Sequence, residues 1–134
     1  MKTAVRYYTQ TGNTEKLARS IAKEIGVEAL PITAPLTERV DILFLCNSVY
    51  WAGINQQVIS FVKDNARNIG TVVNVSTAAL ISSTYNQMKK AAAEAGVKLS
   101  EKEFHCKGRF SALHKSHPDS DDLKAAAQFA KGLV

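Results

Sequence analysis

The chain predicts a three-layer α/β/α sandwich on a five-stranded parallel sheet, with the second helix reduced. Three observations carry that prediction. Strand-like and helix-like stretches alternate from end to end as βαββαβαβα. The run Ile42-Leu43-Phe44-Leu45-Cys46 has no polar alternation, as a strand buried on both faces requires. Two segments with helical apolar spacing each stop at a glycine, Gly26 and Gly96, where a helix C-cap belongs.

The elements follow in order. Residues 2–8 suit a pleated surface and read as the first strand. Thr9 to Thr14 is a polar turn around Gly12. Leu17, Ala18, Ile21, Ala22 and Ile25 then recur at helical spacing. Residues 27–32 read as a short second strand, and Pro31 and Pro35 leave little room for a long helix after it. The third strand, 42–46, leads into a loop with Ser48, Tyr50, Trp51 and Gly53, and Val58, Ile59, Phe61 and Val62 mark the next helix. Residues 71–75 form a fourth strand, 76–83 a loop, 84–95 a helix and 97–106 a fifth strand. After Pro118, Asp119 or Ser120 can N-cap a last helix.

Composition bounds the class. With 134 residues, 46% hydrophobic and 22% charged, the chain can bury one core without disulfides, so a single domain spanning 1–134 is expected and disorder is not. No stretch has the length of a membrane span, and the basic N-terminus lacks the apolar run of a secretory signal. Two cysteines, Cys46 and Cys106, do not make a disulfide framework. A cytoplasmic location is expected. Cys46 reads as a small core residue, and the histidines do not form a metal set.

In parallel sheets the ligand lies beyond the carboxyl ends of the strands. The turn Thr9-Gln10-Thr11-Gly12-Asn13-Thr14 occupies that place and runs straight into a helix. Hydroxyls, an amide and backbone N–H groups at a helix N-terminus suit a phosphate dianion, and Gly12 permits close approach. A Walker loop and a GxGxxG turn are both absent from the sequence. The plain alternative is a turn in which Thr11 or Asn13 caps the helix and nothing binds; the position at the first βα junction favours the phosphate.

The segment Lys2 to Ala22, centred on Tyr-Tyr-Thr-Gln-Thr-Gly-Asn-Thr-Glu-Lys-Leu-Ala, resembles the opening of short-chain flavodoxins. Residues 45–53, 104–110, His117-Pro118 and Asp122-Leu123 are similar to later parts of flavodoxin-like proteins, so the resemblance covers essentially the whole chain. It implies strand order 2-1-3-4-5 and non-covalent FMN. It also implies that Thr9, Gln10, Thr11, Gly12, Asn13 and Thr14 hold the phosphate. Ser48, Val49, Tyr50, Trp51, Ala52 and Gly53 would form the second flavin loop, with Trp51 covering the ring and Gly53 turning a peptide toward N5. Ser76 and Thr77 would bond the pyrimidine edge, and small Ala78 would leave room for the ring. No second aromatic cover is apparent unless Tyr85 folds back.

The net charge of +5 departs from the acidity usual in electron-carrying flavodoxins. Lys107, Arg109, Lys115, His105, His114 and His117 gather in one loop at the expected ligand end. A positive patch there would attract anionic partners or substrates and favour an anionic reduced flavin. Nucleic acid is not expected, because the basic residues are spread and no recognition motif appears. The expected function is FMN-based electron transfer between redox partners. The alternatives are an FMN-dependent oxidoreductase acting on a quinone or other small anionic acceptor, and a flavodoxin-fold binding module without flavin. Arg6, in the middle of the first strand, needs a partner that the sequence does not supply.

Overall fold

The computed structural model describes residues 1–9, 12–49, 54–78, 84–107 and 118–134, and of Val49, Ala78 and Lys107 the backbone alone. The described residues form the strands and α-helices β1 (Thr3–Tyr7), α1 (Asn13–Ile25), β2 (Ala29–Pro31), β3 (Val40–Val49), α2 (Gln56–Asp64), β4 (Ile69–Ala78), α3 (Tyr85–Ala95), β5 (Lys98–Leu99), β6 (Phe104–Lys107) and α4 (Ser120–Lys131). The sheet is parallel throughout, in the order β2-β1-β3-β4-β5, with β6 also paired to β4. That is the expected 2-1-3-4-5 order. The fifth position, however, is two short strands rather than one continuous 97–106. After Ser100 N–H bonds the Val72 carbonyl, the Ser100 hydroxyl accepts from Lys102 N–H at 3.1 Å, and this side-chain turn carries the charged Glu101-Lys102-Glu103 away from the ladder.

Each face of the sheet buries its own apolar cluster. Val5, Phe44, Cys46, Val73 and Val75 pack under α1 and α4 through Leu17, Ile21, Ala126 and Ala130. Ala4, Leu43, Leu45 and Val72 pack under α2 and α3 through Val58, Phe61, Val62 and Met88. Period-2 alternation along the strands against helical stripes on their covers is what the sequence pattern requires. Gly70 marks where β4 enters against β3: a Cβ there would sit 2.6 Å from the Asp41 carbonyl oxygen.

No helix forms in 32–39, between β2 and β3, and Arg6 explains how that connection is held. Its side chain lies on the α2/α3 face, 7% exposed. Nε donates to the Ala34 carbonyl at 2.9 Å, Nη2 to the Pro35 carbonyl at 3.3 Å and Nη1 to the Val5 carbonyl at 3.1 Å. A cation thus satisfies two carbonyls of the connection, Ala34 and Pro35, that a helix would have satisfied internally.

At the other end of the chain Asp119, rather than Ser120, is the N-cap of α4. Asp119 Oδ1 accepts from Asp122 N–H, and Asp122 Oδ2 accepts from Asp119 N–H, both at 2.9 Å, a reciprocal capping box. D119A should lower stability by about 1 kcal/mol in urea unfolding without changing the m-value. Among the described residues, no helix is long and apolar enough to cross a membrane.

Candidate functional site

At the carboxyl end of the sheet the apolar core gives way to hydroxyls and amides. The first turn begins with Thr9, whose Oγ1 accepts from Gly12 N–H at 2.9 Å. Gly12 has φ +89° and is the residue from which α1 springs, so a side chain here would be strained. Neither Thr11 nor Asn13 is the cap. Gly12 holds that position, no side-chain hydrogen bond caps it, and Asn13 is already the first helical residue. Among the described residues, and apart from its chain neighbours, no atom lies within 4 Å of where a Cβ at Gly12 would stand. Asn13 and Thr14 are buried behind it, and Thr14 Oγ1 lies 3.1 Å from Thr77 Oγ1. Gln10 and Thr11 lie outside the described residues.

The ends of β3 and β4 run on further than their apolar cores suggest. Asn47, Ser48 and Val49 pair with Ser76, Thr77 and Ala78, so these positions are strand and not loop. Pairing persists because hydroxyl and β-branched residues suit the ladder. Alternation places Ser48 and Thr77 on the α1 face beside Thr14, and Asn47 and Ser76 on the α3 face. Ser48 Oγ is buried with no hydrogen-bond partner among the described residues. A buried hydroxyl without a partner costs free energy that a ligand oxygen would recover. Tyr50, Trp51, Ala52 and Gly53, expected to face the ring, lie outside the described residues, as do Ala79 to Ser83 and Gly108 to His117 of the basic loop.

Two residues escape sequence reasoning, Asn74 and Thr84, and a third, Asn47, is legible there only as a neighbour of the second loop. All three are fully buried. Asn47 Nδ2 donates to Asn74 Oδ1 at 2.8 Å, Asn74 Nδ2 to Thr84 Oγ1 at 3.0 Å, and Thr84 Oγ1 to Asn47 Oδ1 at 2.6 Å. The signal was the amide in Val72-Val73-Asn74-Val75: a polar residue inside a buried strand must have a partner. Tyr85 does not serve as a second cover by folding back, since its hydroxyl donates to the Ser100 carbonyl at 3.1 Å, beside β5.

Charge near the fifth strand is more mixed than the run of cations suggests. His105 Nδ1 lies 2.8 Å from Glu103 Oε2. Cys106, next to it, is held protonated: burial, then Asp122 and Asp119, push its thiol up to about 12. Burial alone raises the Cys46 thiol further out of range. Neither is a nucleophile near neutral pH. Iodoacetamide at pH 8.5 should therefore label the native protein far more slowly than the urea-unfolded chain, as mass spectrometry would show. Unfolded thiols ionise near 9.0 while folded Cys106 keeps its proton to about 12, so the unfolded chain binds fewer protons in that window. Stability contributed by these thiols should fall as pH rises through it. Among the described residues, no three His, Cys, Asp or Glu side chains are grouped to hold a metal ion.

Comparison with known proteins fits this geometry. No family model matches the chain. It is 26% identical to the uncharacterised protein MJ0298 of Methanocaldococcus jannaschii over 136 residues, which covers 91% of this chain and 90% of that protein. Among solved structures it superposes on a flavodoxin from the domain Archaea with a TM-score of 0.71 at 12% identity, covering 99% of this chain and 96% of that one. A short-chain flavodoxin associated with a non-canonical PDU bacterial microcompartment gives 0.68 at 19% identity, covering 99% and 97%. Shared strand order, layers and extent, without close sequence identity, are what a common architecture leaves behind. By that architecture the chain has the flavodoxin fold.

Proposed function

We propose that the protein binds FMN non-covalently at the carboxyl ends of β1, β3 and β4 and carries electrons between redox partners. The observation that supports this most is the first turn: α1 starts at Gly12 with φ +89°, without a side-chain cap, and no described atom beyond the chain neighbours lies within 4 Å of where a Cβ would stand. A helix N-terminus left in that state suits a phosphate dianion. The residues fit the group in a second respect, because the Ser48 hydroxyl, without a partner among the described residues, lies on the same face as Thr14 and Thr77.

In this reading residues 9–14 hold the phosphate, Ser48 to Gly53 and Ser76 to Ala78 flank the ring, and Tyr50 or Trp51 covers one face. FMN, when bound, supplies the electron chemistry. The chain's own groups bind and orient. The described side chains at this end are mostly hydroxyls and amides, which hydrogen-bond without exchanging protons near neutral pH. The net charge of +5 favours an anionic partner, with attraction that salt should screen. We place the protein in the cytoplasm, where its two unpaired cysteines would stay reduced.

One observation favours a second reading, an FMN-dependent oxidoreductase with a small acceptor. Tyr85 is tied to Ser100 and so does not supply the second aromatic cover. A ring open on one face could receive a flat substrate. Steady-state assays with NAD(P)H and quinones separate the two. A carrier takes electrons from a reductase but turns over negligibly with these small molecules alone; sustained turnover supports the oxidoreductase. Protein that retains no FMN in low-phosphate buffer contradicts both and leaves a flavin-free binding module.

A further inference from the structure

We propose that Asn47, Asn74 and Thr84 form a positioning lock that sets the two ring-flanking strand segments, Ser48–Val49 of β3 and Ser76–Ala78 of β4, against the start of α3, and that Thr84 is its keystone. This rests on the FMN reading. The three hydrogen bonds run in one direction around a closed cycle, each amide and the hydroxyl both donating and accepting. Such a cycle polarises its members cooperatively and fixes one geometry. The second Asn47 amide hydrogen is also engaged, with the Leu45 carbonyl at 3.1 Å and the Val75 carbonyl at 3.3 Å.

Its location gives the lock its role. Asn47 immediately precedes Ser48 at the end of β3, Asn74 lies two residues before Ser76 on β4, and Thr84 is the N-cap of α3. Thr84 N–H also donates to Ser76 Oγ at 3.4 Å, so the start of α3 is bound to the end of β4 twice. Thr84 makes no capping hydrogen bond to α3, although it occupies the N-cap position and a threonine hydroxyl is suited to that task. The hydroxyl is spent on the cycle instead. An apolar trio would fill the same space; what two buried amides and a hydroxyl add is a single register between the segments.

The cycle lies on the α2/α3 face of the sheet, while Thr14 and Thr77 meet on the α1/α4 face. That separation makes the proposal testable against a merely structural role. Thr84→Val keeps the shape and removes the hydroxyl. It should weaken FMN and riboflavin binding by the same factor, roughly tenfold, because both share the ring and the phosphate turn is untouched. The visible circular dichroism of bound FMN should change with it. Thr84→Ser should restore both affinities and the spectrum. Thr84→Ala replaces the valine variant if that one does not fold, with the same equal loss expected.

Folded variants with wild-type affinity for both ligands would overturn the proposal. So would a loss confined to FMN, which would put the effect at the phosphate turn. Wild-type protein that binds neither ligand would remove the FMN reading itself and the lock's role with it.

Discussion

Replacing Arg6 with methionine should lower the folding stability by roughly 3 kcal/mol, read as a drop in the urea midpoint at constant m-value. Two effects oppose each other. Burial disfavours the guanidinium charge and lowers its pKa from the ordinary value, with Glu28 acting in the other direction, so removing the charge relieves a penalty. Methionine has similar length and suits an apolar face. Against this, the Val5, Ala34 and Pro35 carbonyls each lose a charge-assisted donor. Hydrogen bonds to charged groups are worth about 1.5–3 kcal/mol apiece, and buried acceptors left without partners carry the desolvation cost. Three such losses outweigh one relieved desolvation. Lysine, with a single ammonium, should recover part of the loss. An R6M protein as stable as wild type would mean that the 32–39 connection satisfies its carbonyls without Arg6.

The second large effect is expected at Gly12. Changing it to asparagine should cost FMN about a hundredfold in affinity while riboflavin affinity changes little, because only the phosphate meets this turn. Asparagine is the informative choice because it tolerates positive φ better than other side chains, so the fold stays intact. What it adds is bulk before α1, where among the described residues no atom beyond the chain neighbours lies within 4 Å of a Cβ. Backbone N–H groups then could not approach a phosphate closely. Fluorescence titrations with FMN and riboflavin check the ratio. Equal losses for both ligands would show a disturbed fold; an unchanged FMN affinity would place the phosphate elsewhere.

What was legible in the sequence depended on periodicity. The apolar run 42–46 and the stripes of α1 and α4 declare themselves because a buried strand and an amphipathic helix each impose a repeat. Strand ends were misjudged wherever polar residues continued the ladder: Ser48 and Ser76 to Ala78 look like loop by composition yet remain paired. Arg6 looked like a fault in the first strand because its partners are carbonyls nearly thirty residues away, and backbone acceptors leave no mark in a sequence. The turn around Gly12 is legible as a site, and the plain alternative of a Thr11 or Asn13 cap fails because a glycine at positive φ takes that position. The Asn47–Asn74–Thr84 cycle joins three elements, and no spacing rule connects residues 10 to 37 positions apart.

The most direct test of the account is a titration of the flavin-free protein with FMN in low-phosphate buffer, followed by gel filtration. The account predicts saturation at one FMN per chain and a visible flavin spectrum that co-elutes with the protein. FMN that elutes wholly apart from the chain at saturating concentrations would contradict it, and the open turn at Gly12 would then be no more than the start of a helix.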